Sequence, residues 1–365
     1  MRVTKFGKSI ERVLEEQTKE GLFPTYRSEN IHDLTKPIIQ EPTQQIDNIG
    51  IHAYILDKLI YLNKRNLKIE LAFKHGLGVI VEKAVSYNGQ YLWRWLKNPN
   101  EPDYLYPPDH DDTARAIATI EIARKHYPRL YNYFKGKYKE TVERDYEKLL
   151  LDDLFWVDDK FKPILDSKRK ERGVFTFIRK YGSKEHNEID PVVNAHILYG
   201  YLLYLKNRRK GIQRDKIIYG ISRFLSSLIL SEHFDKDFQE ISRFYLTPTL
   251  MSNVIADITL IEPEIFDRKV KERIISKMNS FLPNSPNVFE TAKATEALLK
   301  LGHNGKEIKR GINQILDECE DGIWLAYPFY QHKRLNHIFG SKAATSVFCL
   351  EVIDRYKHSI GGLKW

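Results

Sequence analysis

Residues 104–127 are the stretch YLYPPDHDDTARAIATIEIARKHY. Its two prolines close off whatever precedes them. Asp109 then offers a side-chain oxygen to the orphan amides of a helix start, and Ala114, five positions on, is small enough to let another helix pack closely. Small and apolar side chains fill most of the positions that follow, as expected of a helix covered by protein rather than lying on a surface. The same opening recurs: Asp190 precedes Ala195, and Asn287 precedes Ala292, each by five positions.

The recurrence extends to a second signal. Gly-x-aromatic stands at Gly21-Leu22-Phe23, Gly89-Gln90-Tyr91, Gly173-Val174-Phe175 and Gly322-Ile323-Trp324, at intervals of 68, 84 and 149 residues. The last interval is about twice the others, so a unit of about 75 residues repeats with one degraded copy. Six comparatively apolar segments follow from this grammar, at 48–63, 109–126, 190–206, 248–261, 287–301 and 340–357. Between them lie charged, amphipathic segments at 4–20, 67–87, 137–155, 212–231, 264–281 and 304–319, with apolar positions at helical spacing. Strand-like alternation is nearly absent. The pattern predicts an all-α protein, an α6/α6 barrel or toroid with six inner and six outer helices, spanning 1–365 as a single domain. An open solenoid of stacked helix pairs satisfies the same periodicity.

Bulk composition narrows the function classes. Apolar residues make up 42% and charged residues 29% of the 365, which supports a sizeable core and argues against global disorder. The formal charge of +9 favours anionic partners: nucleic acid, an anionic membrane surface or a phosphorylated ligand. No nucleic-acid-binding module is recognisable, so that class drops out, whereas peripheral membrane contact stays open. The N-terminal residues contain no apolar stretch of signal-peptide length and no segment approaches a membrane span, so the expected location is cytoplasmic. Cys319 and Cys349 are too few for a disulfide framework and are not spaced as zinc ligands.

The chemistry concentrates in DHDDTA. Asp109, Asp111 and Asp112 share one helix start, where amides and the helix dipole stabilise negative charge. Three close carboxyl groups cannot all ionise cheaply away from water, so one should keep its proton near neutrality and serve as a general acid. Asp109-His110-Asp111-Asp112-Thr113-Ala114 resembles the D-x-D-D-T-A motif of class II terpene cyclases, including the squalene-hopene cyclases, which are α/α barrels. The Gly-x-aromatic repeats are similar to those of squalene-cyclase and prenyltransferase toroids. The resemblance implies protonation-initiated cyclisation of an isoprenoid, with Asp111 as donor and Asp109 and Asp112 as its supporting carboxylates. It also implies Mg2+ only if that small-molecule substrate carries a diphosphate, with Arg27 best placed to meet the anion.

Around the triad, the loop-to-helix junctions are rich in rings that suit a carbocation cavity, a sugar platform or a packed rim. The expected substrate-binding set is Tyr26, Arg27, Tyr91, Trp93, Tyr106, His110, Asp190, Asn194, Asn287, Glu290, Trp324, Tyr327 and Tyr330, and the polar members double as helix caps. A second enzyme class fits the same residues: a carbohydrate-active α/α barrel in which Asp109 or Asp111 works with a carboxylate across the mouth, such as Asp190 or Glu290. A third reading is a non-catalytic toroid that binds a ligand. A prenyltransferase-like zinc set of Asp317, Cys319 and His332 or His337 lacks a supporting motif. The Asp152-Asp153 and Asp158-Asp159 pairs are read as solvated turns, and His52 and His196 as core residues.

Overall fold

The computed structural model describes residues 3–28, 33–38, 45–62, 66–87, 90–94, 108–156, 171–178, 188–208, 216–236, 238–332 and 337–359. In chain order the helices are α1 (Val3–Glu15), α2 (Ile49–Leu62), α3 (Leu67–Glu82), α4 (His110–His126), α5 (Pro128–Lys137), α6 (Lys139–Val142), α7 (Tyr146–Asp152) and α8 (Pro191–Asn207). They continue with α9 (Lys216–Leu230), α10 (His233–Lys236), α11 (Phe238–Ile241), α12 (Thr249–Ile261), α13 (Arg268–Phe281), α14 (Val288–Lys300), α15 (Lys306–Asp317) and α16 (Lys342–Ser359).

Helices α2, α4, α8, α12, α14 and α16 form the inner ring. Each packs on the next, and α16 packs back on α2, so the ring is closed and the open solenoid is excluded. Outside it, α3 covers α2, α5 covers α4, α9 covers α8, α13 and α15 cover α14, and α1 covers α16. The sequence explains the division. Every residue of α8 from Pro191 to Leu205 is buried, whereas α15 buries only Ile308, Gly311, Ile312 and Ile315 and turns its charges to solvent. The six apolar segments thus coincide with the inner ring. Two details differ. The third outer helix is α5, which Pro128 starts ahead of the segment expected at 137–155; that segment holds only the short α6 and α7, the latter capped by Asp145, which accepts from the Lys148 amide at 3.1 Å. The last inner helix starts at Lys342 rather than 340, because residues 337–340 are drawn into a strand.

The strands are short and were not foreseen: β1 (Thr25–Ser28), β2 (Gln45–Ile46), β3 (Val85–Tyr87), β4 (Gln90–Leu92), β5 (Leu154–Trp156), β6 (Arg172–Val174), β7 (Pro328–His332) and β8 (His337–Gly340). Two hairpins, β3–β4 and β5–β6, and one sheet of order β2-β1-β8-β7 lie among the described residues. The β1–β8 pairing, with Tyr26 opposite Gly340 and Arg27 opposite Phe339, fastens the first repeat to the last.

At four of the six inner helices a backbone amide of the connecting segment donates to a side chain of the helix. The Phe23 amide donates to His52 Nδ1 at 3.2 Å, Trp93 to Thr113 Oγ1 at 3.1 Å, Val174 to Asn194 Oδ1 at 2.8 Å and Trp324 to Ser346 Oγ at 3.0 Å. Trp93 is therefore the counterpart of Phe23 and Trp324, not Tyr91 as the Gly-x-aromatic spacing suggested. Both indoles complete the link outward: Trp93 Nε1 donates to Ile80 O at 2.6 Å and Trp324 Nε1 to Ile315 O at 2.7 Å. Gly21 and Gly322 sit at φ of 95° and 88°, the left-handed region that favours glycine.

The end of the ring where the inner helices finish is filled by charge. Lys58 meets Glu296 at 2.5 Å and Glu351 at 2.7 Å, Lys300 meets Asp257 at 2.7 Å, and Arg355 meets Glu351 at 2.7 Å. Three cations face three carboxylates, which is the condition for keeping such groups out of water. At the α4–α8 crossing, a Cβ on Gly200 would lie 2.6 Å from the carbonyl oxygen of Ala114. Alanine normally favours a helix over glycine by about 1 kcal/mol. Here backbone cannot yield, and Gly200→Ala should instead destabilise the protein by about 1–3 kcal/mol, read as a lower thermal midpoint. An unchanged or raised midpoint would show the crossing to be looser than described.

Candidate active site

Four of the inner helices begin at a polar cap: Asn48, Asp109, Asp190 and Asn287. Asn48 Oδ1 accepts from the Ile51 amide at 2.6 Å, Asp109 from Asp112 at 2.7 Å, Asp190 from Val192 at 2.8 Å and Asn287 from Glu290 at 2.9 Å. Two residues are then placed by helical rotation of about 100° per residue. Those four beyond the cap (His52, Thr113, Asn194) face back to the connecting segment. Those six beyond it (Tyr54, Arg115, His196, Lys293) point about 200° away, into the ring.

The capped ends surround a cavity of about 540 Å³, part of it open to solvent, walled by Asp109, Asp111 and Asp112 of the α4 start. Asn48, Gly50, Tyr54 and Arg115 complete its polar side, and the rings of Phe177, Phe244, Tyr245, Phe329 and Tyr330 its apolar side. Asp111, with 18% of its side chain exposed, is held at both oxygens: Oδ1 bonds His196 Nδ1 and Oδ2 accepts from the Tyr245 hydroxyl. His196 Nε2 bonds the Tyr54 hydroxyl. The Arg115 guanidinium lies 3.5 Å from the Tyr54 ring centroid and donates to Asp57 at 2.6 Å, and Thr119 donates to the other oxygen of Asp57 at 2.6 Å.

Electrostatics separate the two neighbouring carboxyl groups. Burial alone would push Asp111 up, but the His196 ring, the Tyr245 hydroxyl and the Arg115 charge hold its carboxyl below the usual range. Burial drives His196 down, towards the neutral imidazole. Asp112 is pushed well above the carboxylate range by burial and by the charges of Asp109 and Asp111, with only the Gly50 amide opposing. Its Oδ2 is buried with no hydrogen-bond partner. The approach needs glycine, since a Cβ at residue 50 would lie 2.4 Å from Asp112 Oδ1.

Of the residues expected to bind substrate, twelve are described, and among these only Tyr330 lines this cavity, its hydroxyl accepting from Asn48 Nδ2 at 2.6 Å. The other described members make contacts within the fold. Asp190 takes donors on both oxygens, from Val192 and Val193 and from Ser242 and the Arg243 amide, and burial raises it to about 6. Asn194 ties down Val174, and Asn287 Nδ2 donates to Leu34 O at 2.7 Å. Glu290 is paired with Lys293 at 2.7 Å and accepts from Thr247 and Thr249. His110 turns from the cavity to Asp153, 2.9 Å away. Tyr26 and Arg27 belong to β1, Tyr91 donates to Glu140 on the surface, Tyr327 reaches Glu318, and Trp93 and Trp324 are core. Tyr106 and the pair Asp158-Asp159 lie outside the described residues. Reading the sequence for motifs missed Tyr54, Arg115 and Tyr245, and placed His196 among ordinary core residues. The signal for three of them was their common offset of six from a cap.

Among the described residues no group of three or more His, Cys, Asp or Glu side chains is placed to hold a metal ion, and no helix is long and apolar enough to cross a membrane. No family model matches the sequence, and no curated protein matches it. Solved structures do. One, described as the crystal structure of a possible member of the GH105 family from Klebsiella pneumoniae, matches with a TM-score of 0.54 and 10% sequence identity, over 98% of this chain and 94% of that one. The likeness is one of fold: both are α/α toroids.

These observations correct the isoprenoid expectation. The structural neighbour carries the name of a glycoside-hydrolase family rather than of a terpene cyclase. Asp111, the donor that the D-x-D-D resemblance marks, is moreover the carboxyl held ionised, so it is not a ready acid. Asp109 of the motif caps α4 as Asp190 caps α8, and Mg2+ loses its reason together with the diphosphate.

The raised Asp112 has a stability signature. Its folded pKa lies above the unfolded value of 3.8, so its contribution is full below that pH and is lost as pH rises towards the folded pKa. Asn mimics the protonated acid and titrates nowhere. Asp112→Asn should therefore gain on the parent between pH 4 and pH 8, by at most about 1.4 kcal/mol per pH unit. Paired thermal melts across this range check it, and a gap that closes with rising pH would contradict the assignment.

Proposed function

We propose that this protein is a carbohydrate-active α/α-barrel enzyme that cleaves a glycosidic bond by acid–base catalysis, with Asp112 as proton donor and Asp111 as the ionised partner. One observation carries the reading: two adjacent carboxyl groups open on one cavity and are pushed in opposite directions by their surroundings. Oppositely tuned carboxyls are how acid and base are assigned from ordinary side chains at neutral pH. The partners expected across the mouth are not available for this work, since Asp190 and Glu290 spend their oxygens on structural donors. The opposing wall of Phe177, Phe244, Phe329 and Tyr330 supplies the apolar faces on which a pyranose ring can rest. The toroid shared with a structure named for the GH105 family supports the same class.

In this scheme Asp112 protonates the departing glycosidic oxygen, and the negative charge at Asp111 supports the attack of water. Incubating the protein with a panel of glycosides and polysaccharides and measuring new reducing ends tests it. On a substrate the parent cleaves, Asp111→Asn and Asp112→Asn should each lower kcat by about 10²–10⁴-fold without unfolding the protein. Asp190→Asn should act mainly on the melting temperature. A full panel left intact, or an Asp112→Asn variant with parental kcat, would sink the reading.

A further inference from the structure

Tyr54 takes part neither in the links of the repeat nor in the carboxyl pair, yet it stands in the cavity wall, and its hydroxyl meets a buried histidine. The His196 ring lies 5.3 Å from the Tyr54 ring at 72°, with one nitrogen on the phenol and the other on Asp111. The proton positions follow from valence. A carboxylate only accepts, so His196 Nδ1 carries the hydrogen; a neutral imidazole then has its lone pair at Nε2, so the Tyr54 hydroxyl must donate. This is the connectivity of a hydroxyl–imidazole–carboxylate triad, with a phenol in the nucleophile's place. Its surroundings support it on both sides. Tyr245 holds the second oxygen of Asp111; burial pushes the Tyr54 hydroxyl well above the usual phenol range, which keeps it a donor to His196, and Arg115, anchored by Asp57 and lying over the ring, is the charge that opposes this.

We infer that Tyr54 is the catalytic residue that takes the proton from the attacking water, with His196 as its base and Asp111 as the anchor of the relay. The inference rests on the glycosidase reading and names the atom through which the charge of Asp111 reaches the substrate. As the water oxygen bonds the anomeric carbon, its proton passes to Tyr54 O while the phenol's own proton moves to His196 Nε2. The carbon–oxygen bond to the leaving group breaks, and the leaving oxygen takes the proton of Asp112. An imidazolium then sits between Tyr54 and the Asp111 carboxylate. It returns one proton to solvent as Asp112 regains one, so the sum is hydrolysis.

Two measurements test the relay, and only one needs a substrate. In protein labelled with 15N-histidine, the signal that disappears in His196→Gln should report a neutral ring, protonated at Nδ1, from pH 5 to 8. Tyr54→Phe should shift its Nε2 resonance far more than its Nδ1. A charged ring, or a hydrogen on Nε2, would overturn the relay whether or not a substrate is known. On a cleaved glycoside, Tyr54→Phe should lower kcat about 10²-fold or more with KM within about threefold, and Tyr54→Phe with His196→Gln should be no worse than either alone. Parental kcat in Tyr54→Phe beside an inactive Asp112→Asn would remove Tyr54 from the reaction and leave the glycosidase reading standing. If no glycoside is cleaved, the glycosidase reading falls and takes Tyr54's role in hydrolysis with it, while the labelled histidine still decides the proton arrangement.

Discussion

Six helices begin at one mouth of this ring, and each brings backbone amides that no intrahelical carbonyl can satisfy. This constraint organises the rest. It consumes Asn48, Asp109, Asp190 and Asn287 as caps, it draws the connecting segments down onto the helices, and it fixes the rotation of every inner helix about its axis. A polar side chain at this mouth is therefore structural unless it is surplus to capping. Asp111 and Asp112 are surplus, and they alone among the described acidic residues face the cavity without being tied to a cap or a lysine.

Much of the architecture was legible because burial leaves its mark on composition. A helix covered on all sides has nowhere to put charge, so α8 reads as apolar for most of its length, and α15, with one face in water, reads as amphipathic. The short sheets were not legible. Their pairing joins segments as distant as Tyr26 and Gly340, and a strand of three or four residues carries too little alternation to be distinguished from a loop.

The site was half legible for a different reason. Three carboxyl groups in four residues advertise themselves, but which of them keeps its proton depends on rotation about the helix. One step in sequence turns Asp111 towards His196 and Tyr245, and Asp112 towards Gly50 and the charge of its neighbours. Motif similarity counts positions and not directions, and so marks Asp111, whereas the surroundings push the Asp112 carboxyl up and the Asp111 carboxyl down. Tyr245 comes from the segment before α12, 134 residues away from Asp111, and no local pattern announces it. Asp190 and Glu290 misled in the opposite sense: an acid at an inner-helix start looks catalytic in sequence, and only its complete set of donors shows it to be a fastener.

Closure of the ring has a kinetic side. The contact between α16 and α2 and the pairing of β8 with β1 join residues about 300 positions apart, and loop-closure entropy must be met before such contacts return anything. During synthesis the first repeats emerge with one flank of α2 and the edge of β1 uncovered, and they stay so until the last helix leaves the ribosome. The intermediate is an incomplete arc with two sticky ends. Each end of such an arc is the complement of the other, so the same feature that completes the cavity opens a route by which two arcs exchange ends, as in domain swapping.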